Sequence, residues 1–115
     1  MQLIKAPNDW LHTQVDKFDF DKLDSEQISS EMTSLMYRDK GIGLAANQVE
    51  LDAQVFVMRP TQSIGTVLTI INPEILEVST ETETQQEGCL SYPGLYLHVS
   101  RPKTVVAKYF DKNHK

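Results

Sequence analysis

Only one stretch of this chain carries a sustained helical repeat, and everything after it reads as strand. Ile28, Met32, Leu35 and Met36 fall at i, i+4, i+7 and i+8, which sets four large apolar side chains on one helical face. Asp24 with Gln27 three residues on forms a capping box, and Gly41 suits a left-handed exit. The spacing therefore predicts a helix from about Ser25 to Asp39. Beyond it the residues turn β-branched. Gln54 to Met58, Thr66 to Ile71 and Thr104 to Tyr109 read as strands bounded by Pro60, Pro73 and Pro102, with Glu74 to Thr82 and Leu95 to Val99 as weaker strands. The first 23 residues are irregular. The expected class is α+β, an N-terminal helix packed on mostly antiparallel strands. A sheet must cover its apolar face, and with one long helix in view the cover is incomplete.

With 115 residues and 40% hydrophobic content, the chain has room for one core. No repeat or Gly/Ser linker interrupts it, so residues 1–115 are read as a single domain. Sixteen acidic residues against eleven basic ones give a net charge of -5. This leaves no footprint for the phosphate contacts that dominate nucleic-acid binding, so no direct nucleic-acid partner is expected. The N-terminus lacks the basic flank and apolar run of a secretory signal, and no apolar run approaches the ~20 residues of a membrane span. A single cysteine, Cys89, fits a reducing compartment. The expectation is a cytoplasmic chain with no membrane partner and one thiol to explain.

Two short runs carry the chemistry. In the first, residues 41–48 read GIGLAANQ, whose small side chains let a backbone or ligand come close. It is a helix exit and packed turn with a solvated Gln48, or a turn that aims the Gln48 amide NH₂ at an oxygen gaining negative charge. In the second, residues 87–91 read EGCLS, with Gly88 removing bulk beside the sulfur and Pro93-Gly94 as the turn that ends the segment. Cys89 is a small buried hydrophobe, a metal ligand or a nucleophile. A nucleophile needs a histidine, and neither His12, His98 nor His114 carries a supporting signature.

Taken together, GIGLAANQ and EGCLS about forty residues apart resemble the first two of the three signature motifs of peptide deformylases. The run Ile70-Ile71-Asn72-Pro73-Glu74-Ile75 and the pair Arg101-Pro102 also resemble the family's layout. The resemblance implies a deformylase-like fold and hydrolysis of the N-formyl group from the formyl-methionine of nascent polypeptides, with release of formate. It implies that Cys89 gives a thiolate to a divalent metal, Fe(II) in the natural enzyme, with Zn, Ni or Co as substitutes. It implies that the Gln48 amide and the Leu90 backbone N–H bind the formyl oxygen. Ile42, Gly43 and Glu87 then border the substrate, Ile42 beside the methionine pocket and Gly43 offering backbone hydrogen bonds. The implied partner is a formyl-methionyl peptide met by a monomer in transient proximity to the ribosome.

The family's third motif, HExxH on a central helix, has no counterpart in these residues. The chain reads as a deformylase cut off C-terminally, before that helix and before the extension that docks some members on the ribosome. A lone thiolate cannot hold a catalytic metal, because such sites use three protein ligands. Loss of the helix is expected to uncover apolar side chains. A second departure is Tyr96, which stands where many relatives carry an arginine. Two other readings compete: a catalytically inactive relative that keeps the groove as a peptide-binding or interaction module, and a thiol enzyme using Cys89 as nucleophile.

Overall fold

The helical repeat becomes α1 (Ser25–Arg38) of the computed structural model, which describes residues 1–60 and 66–115. The Asp24 carboxylate accepts from the Gln27 backbone N–H at 3.1 Å, which is the N-cap half of the expected capping box. The exit differs from expectation. Lys40, and not Gly41, takes the left-handed conformation, with φ of 59°. Gly41 N–H donates to the Met36 carbonyl at 2.9 Å and Lys40 N–H to that of Tyr37 at 3.1 Å, the paired closure of a Schellman motif. Gly41 is needed for its size instead. A Cβ there would lie 2.6 Å from Leu90 Cδ1.

Strands β1 (Gly43–Ala45), β2 (Val55–Met58), β3 (Leu68–Val78) and β6 (Val105–Phe110) form an antiparallel sheet in the order β1-β2-β3-β6, while β4 (Thr82–Cys89) and β5 (Tyr92–Pro102) form a separate hairpin. The α+β class and the antiparallel pairing agree with the sequence reading, but β1 and β4 are strands it did not contain, and two turn or breaker positions differ. Pro73 does not end a strand: β3 runs through it by way of a register shift between Ile71 and Glu74, with Asn72 at φ 50°. A bulge takes up the proline, which cannot donate to a ladder. The Asn72 side chain fixes the spot, accepting from Phe18 N–H at 2.7 Å and donating to the Phe18 carbonyl at 3.1 Å. Nor is Pro93-Gly94 the hairpin turn. Cys89 pairs with Tyr92, so Leu90-Ser91 is the tip, and residues 93–95 bulge from β5 with Gly94 at φ 81°.

The core gathers Ile28, Met32, Leu35 and Met36 of α1 with Leu44, Val55, Val57 and Ile71 of the sheet and with Phe18. It stops at Asn72. Past that residue Ile75, Leu76 and Val78 of β3, Leu95 and Leu97 of β5, and Val105 and Val106 of β6 are at least half exposed. The core under α1 takes in the strand residues before Asn72 and none of the β3 residues past it. Seven aliphatic side chains at least half exposed on three strands exceed the scattered exposure usual in monomers. The purified chain is therefore expected to enhance the fluorescence of an apolar dye and to self-associate as its concentration rises. Dilution-independent light scattering with no dye signal would contradict this.

Candidate active site

The two motif-bearing runs meet in space. Gln48 sits in a 3-10 turn, Ala46–Val49, directly after β1, and Cys89 ends β4. The Gln48 Nε2 lies 3.5 Å from Cys89 Sγ and 3.2 Å from Ser91 Oγ. Its Oε1 accepts from the Ala45 backbone N–H at 3.0 Å. Because a backbone N–H can only donate, the atom facing Ala45 must be the oxygen, and the NH₂ must face the sulfur. The irregular N-terminal segment ties both runs together: Ile4 N–H donates to the Gln48 carbonyl at 2.7 Å, and Ala6 N–H to that of Ser91 at 2.8 Å.

These groups border an open cleft of about 690 Å³ lined by Gly41, Ile42, Gly43, Gln48, Gly88, Cys89, Leu90 and Tyr96, with Leu3 and Lys5 of the N-terminal segment. Cys89 is a free, exposed thiol and not the buried hydrophobe that composition alone favours. Ile42 is 64% exposed, and Gly43 begins β1, the outer strand of its sheet, which pairs with β2 on one side only among the described residues. The bulk removed by Gly88 serves a ring. A Cβ there would stand 2.7 and 2.9 Å from two ring carbons of Tyr96, so the ring occupies the space a side chain would need at the cleft wall.

Glu87 is placed differently from the rest. It does not line the cleft; its carboxylate receives Arg101 Nε at 2.8 Å and Arg101 Nη2 at 2.8 Å across the hairpin. The hydrogen bonds from Arg101, helped by its charge, hold the Glu87 carboxyl below the usual carboxylate range, and the same contacts raise Arg101. A depressed carboxyl stabilises the fold above its unfolded value of about 4.3, and the gain is lost as pH falls through the lowered folded value. The Tm difference between the wild type and Glu87→Gln is thus expected to be constant near neutrality and to shrink on acidification below about pH 4. The difference will be small, because the pair is solvent-exposed. A gap that widened in acid would refute the assignment.

Cys89 is one soft donor, and a catalytic metal takes about three protein ligands. Among the described residues no three His, Cys, Asp or Glu side chains converge on a point. His98 stands on β5 opposite Gln86, and His114 stacks on Phe20 with ring centres 3.7 Å apart. The residues present hold one ligand and do not complete a site. Among the described residues no helix is long and apolar enough to cross a membrane.

Sequence reasoning left out Ser91, Leu3 and Lys5. Leu3 and Lys5 gave no signal, because an irregular segment has no periodicity to read. Ser91 stood inside the second run, but nothing in its type foretold a fully buried hydroxyl at a hairpin tip.

Comparison with known proteins places this arrangement. The family model described as polypeptide deformylase matches residues 1–115. A peptide deformylase of Borreliella burgdorferi is 41% identical over 118 residues, covering 100% of this chain and 69% of that protein. The crystal structure of a probable peptide deformylase from Synechococcus phage S-SSM7 superposes with a TM-score of 0.91 at 30% identity, over 99% of this chain and 78% of that one. A Met-Ala-Ser-bound peptide deformylase from Acinetobacter baumannii gives a TM-score of 0.89 at 29% identity, over 100% and 79%. The chain spans only 43%, 56% and 51% of three other curated peptide deformylases that it matches.

Proposed function

The chain belongs to the polypeptide deformylase family, and on that premise we propose that it serves in metal-dependent hydrolysis of the N-formyl group from nascent formyl-methionyl polypeptides in the cytoplasm, with release of formate. The observation that carries the reading is the convergence of the Gln48 NH₂ on the Cys89 sulfur at the wall of a cleft bounded by an open strand edge.

An extended peptide can add to the outer edge of β1 by main-chain hydrogen bonds, with Gly43 leaving room for its backbone. A relative's structure that carries Met-Ala-Ser supports a peptide as the ligand class. The methionine side chain would rest on Ile42, which the cleft leaves exposed. The formyl carbonyl then comes between the Gln48 amide and the Leu90 backbone N–H. As the carbon becomes tetrahedral, its oxygen gains charge, and each donor fixed there in advance lowers the barrier by about 3–4 kcal/mol. Glu87 borders the site indirectly, bracing the hairpin through Arg101.

The family's divalent metal, Fe(II) by resemblance with Zn, Ni or Co as substitutes, supplies a hydroxide near neutral pH when bound. Cys89 is the donor this chain offers to it, and the remaining ligands are not among the described residues. The test is formate release from a formyl-Met-Ala-Ser peptide by the product of the natural reading frame, purified anaerobically. Turnover with stoichiometric metal, both lost in Cys89→Ala, is the expected result. Binding of the peptide with no formate from a metal-loaded product would overturn the reading.

A further inference from the structure

The hairpin formed by β4 and β5 is exposed along most of its length, yet its tip is sealed. Ser91 has 0% exposure, the only hairpin residue buried among those described. A turn residue is ordinarily at the surface, so something draws this one inward. Two contacts do. Its carbonyl accepts from Ala6 N–H at 2.8 Å, and its Oγ lies 3.2 Å from Gln48 Nε2.

From this geometry we infer that Ser91 is a positioning residue for Gln48, its buried hydroxyl oxygen accepting one of the two amide protons so that the other is turned toward the Cys89 sulfur at the cleft wall. A glutamine amide has two donors and one acceptor oxygen. The oxygen is taken by Ala45 N–H, which fixes the plane of the amide from one end. Besides Ser91 the NH₂ meets only the exposed Cys89 sulfur at 3.5 Å, a weak acceptor that leaves the broad terminal torsion of an amide loosely held. Ser91 Oγ removes that freedom from the other end. The N-terminal segment keeps the distance right, since Ile4 holds the Gln48 backbone and Ala6, two residues on, holds that of Ser91. A single strap therefore spaces the donor and its anchor, which belong to segments 43 positions apart. The consequence for turnover rests on the deformylase reading; the geometry does not.

The experiment has one arm for each. In the ¹⁵N-labelled 115-residue chain, the Gln48 side-chain amide, assigned by its loss in Gln48→Ala, is expected to show two widely separated proton resonances, one of them slow to exchange. Ser91→Ala is expected to collapse that separation toward the free-amide value and to speed exchange, while the dispersed backbone spectrum shows the fold intact. Ser91→Thr, which keeps the hydroxyl, is expected to retain both signatures. In the natural gene product, Ser91→Ala is expected to lower kcat about tenfold at unchanged KM, the rate equivalent of one ordinary hydrogen bond, and Ser91→Thr to recover most of it. Unchanged Gln48 amide resonances in folded Ser91→Ala would overturn the inference, as would an equal loss in both variants. Absence of turnover in a wild type whose amide signature is intact would instead count against the deformylase reading alone.

Discussion

Replacing Met32 by alanine is expected to remove about 2–5 kcal/mol of unfolding free energy. Met32 has no exposure and lies midway along α1, in the cluster that joins the helix to Leu44, Val57 and Ile71. A long unbranched side chain removed from such a place leaves a void that strands on one side and a helix on the other cannot both close. A domain of this size has about 5–15 kcal/mol in total, and here the β3 residues past Asn72 lie outside the core that α1 covers. The same absolute loss therefore weighs more than in a protein packed on both sides. Urea denaturation followed by far-ultraviolet circular dichroism measures it. Met32→Leu, which nearly conserves volume, is expected to cost less than about 1.5 kcal/mol, and Glu31→Ala on the exposed face within about 0.5. Coincident midpoints for Met32→Ala and Glu31→Ala would mean that this cluster is not what holds the helix to the sheet.

The same cluster shows what the sequence could disclose. Periodicity is a local signal, and α1 is locally determined: four apolar residues on one face and an aspartate at the cap specify it almost without reference to the rest. The interiors of β2, β3 and β6 were legible for the same reason, through β-branched runs, whereas β4, polar along Thr82–Gln86, and the three-residue β1 gave no such signal. Boundaries were not, because they depend on partners far along the chain. Pro73 stops a strand in isolation; it does not stop one whose neighbouring Asn72 is held by both backbone groups of Phe18, 54 positions away. Gly41 looked like a helix exit, yet the exit fell on Lys40, and what fixes Gly41 is the side chain of Leu90 against it. In the site, Gln48 and Cys89 could be singled out through the resemblance of the paired runs GIGLAANQ and EGCLS to a known family, their settings alone leaving a solvated amide and a small buried thiol open. Their anchors could not. Ser91, Ala6 and Ile4 act through a hydroxyl and main-chain groups that nearly any sequence carries, and only the fold says which of them are used.

Gln48→Ala is expected to lower kcat of the natural gene product about 100- to 1,000-fold, the usual cost of removing one oxyanion donor, with KM for a formyl-Met peptide within about threefold of wild type. The donor matters more in the transition state than in the ground state. A neutral formyl oxygen is a modest acceptor that water serves nearly as well, so its ground-state contact contributes little to binding. The tetrahedral oxygen carries most of a negative charge, and a donor already fixed in place there stabilises it without reorganising. The amide of Gln48 is fixed in that sense, its oxygen held by Ala45 N–H and its NH₂ by Ser91 Oγ. Alanine deletes both contacts and the longer one to Cys89 Sγ, so a separate stability loss of about 1 kcal/mol is expected from the unpaired Ala45 N–H. The two effects can be told apart with Gln48→Glu, whose carboxylate keeps an oxygen for Ala45 but presents no N–H to the cleft. If Gln48→Glu regains stability and stays as slow as Gln48→Ala, the donor is what the reaction uses. If instead both variants turn over within about tenfold of wild type, charge on the formyl oxygen is met elsewhere, and the Leu90 backbone N–H must carry it without the glutamine.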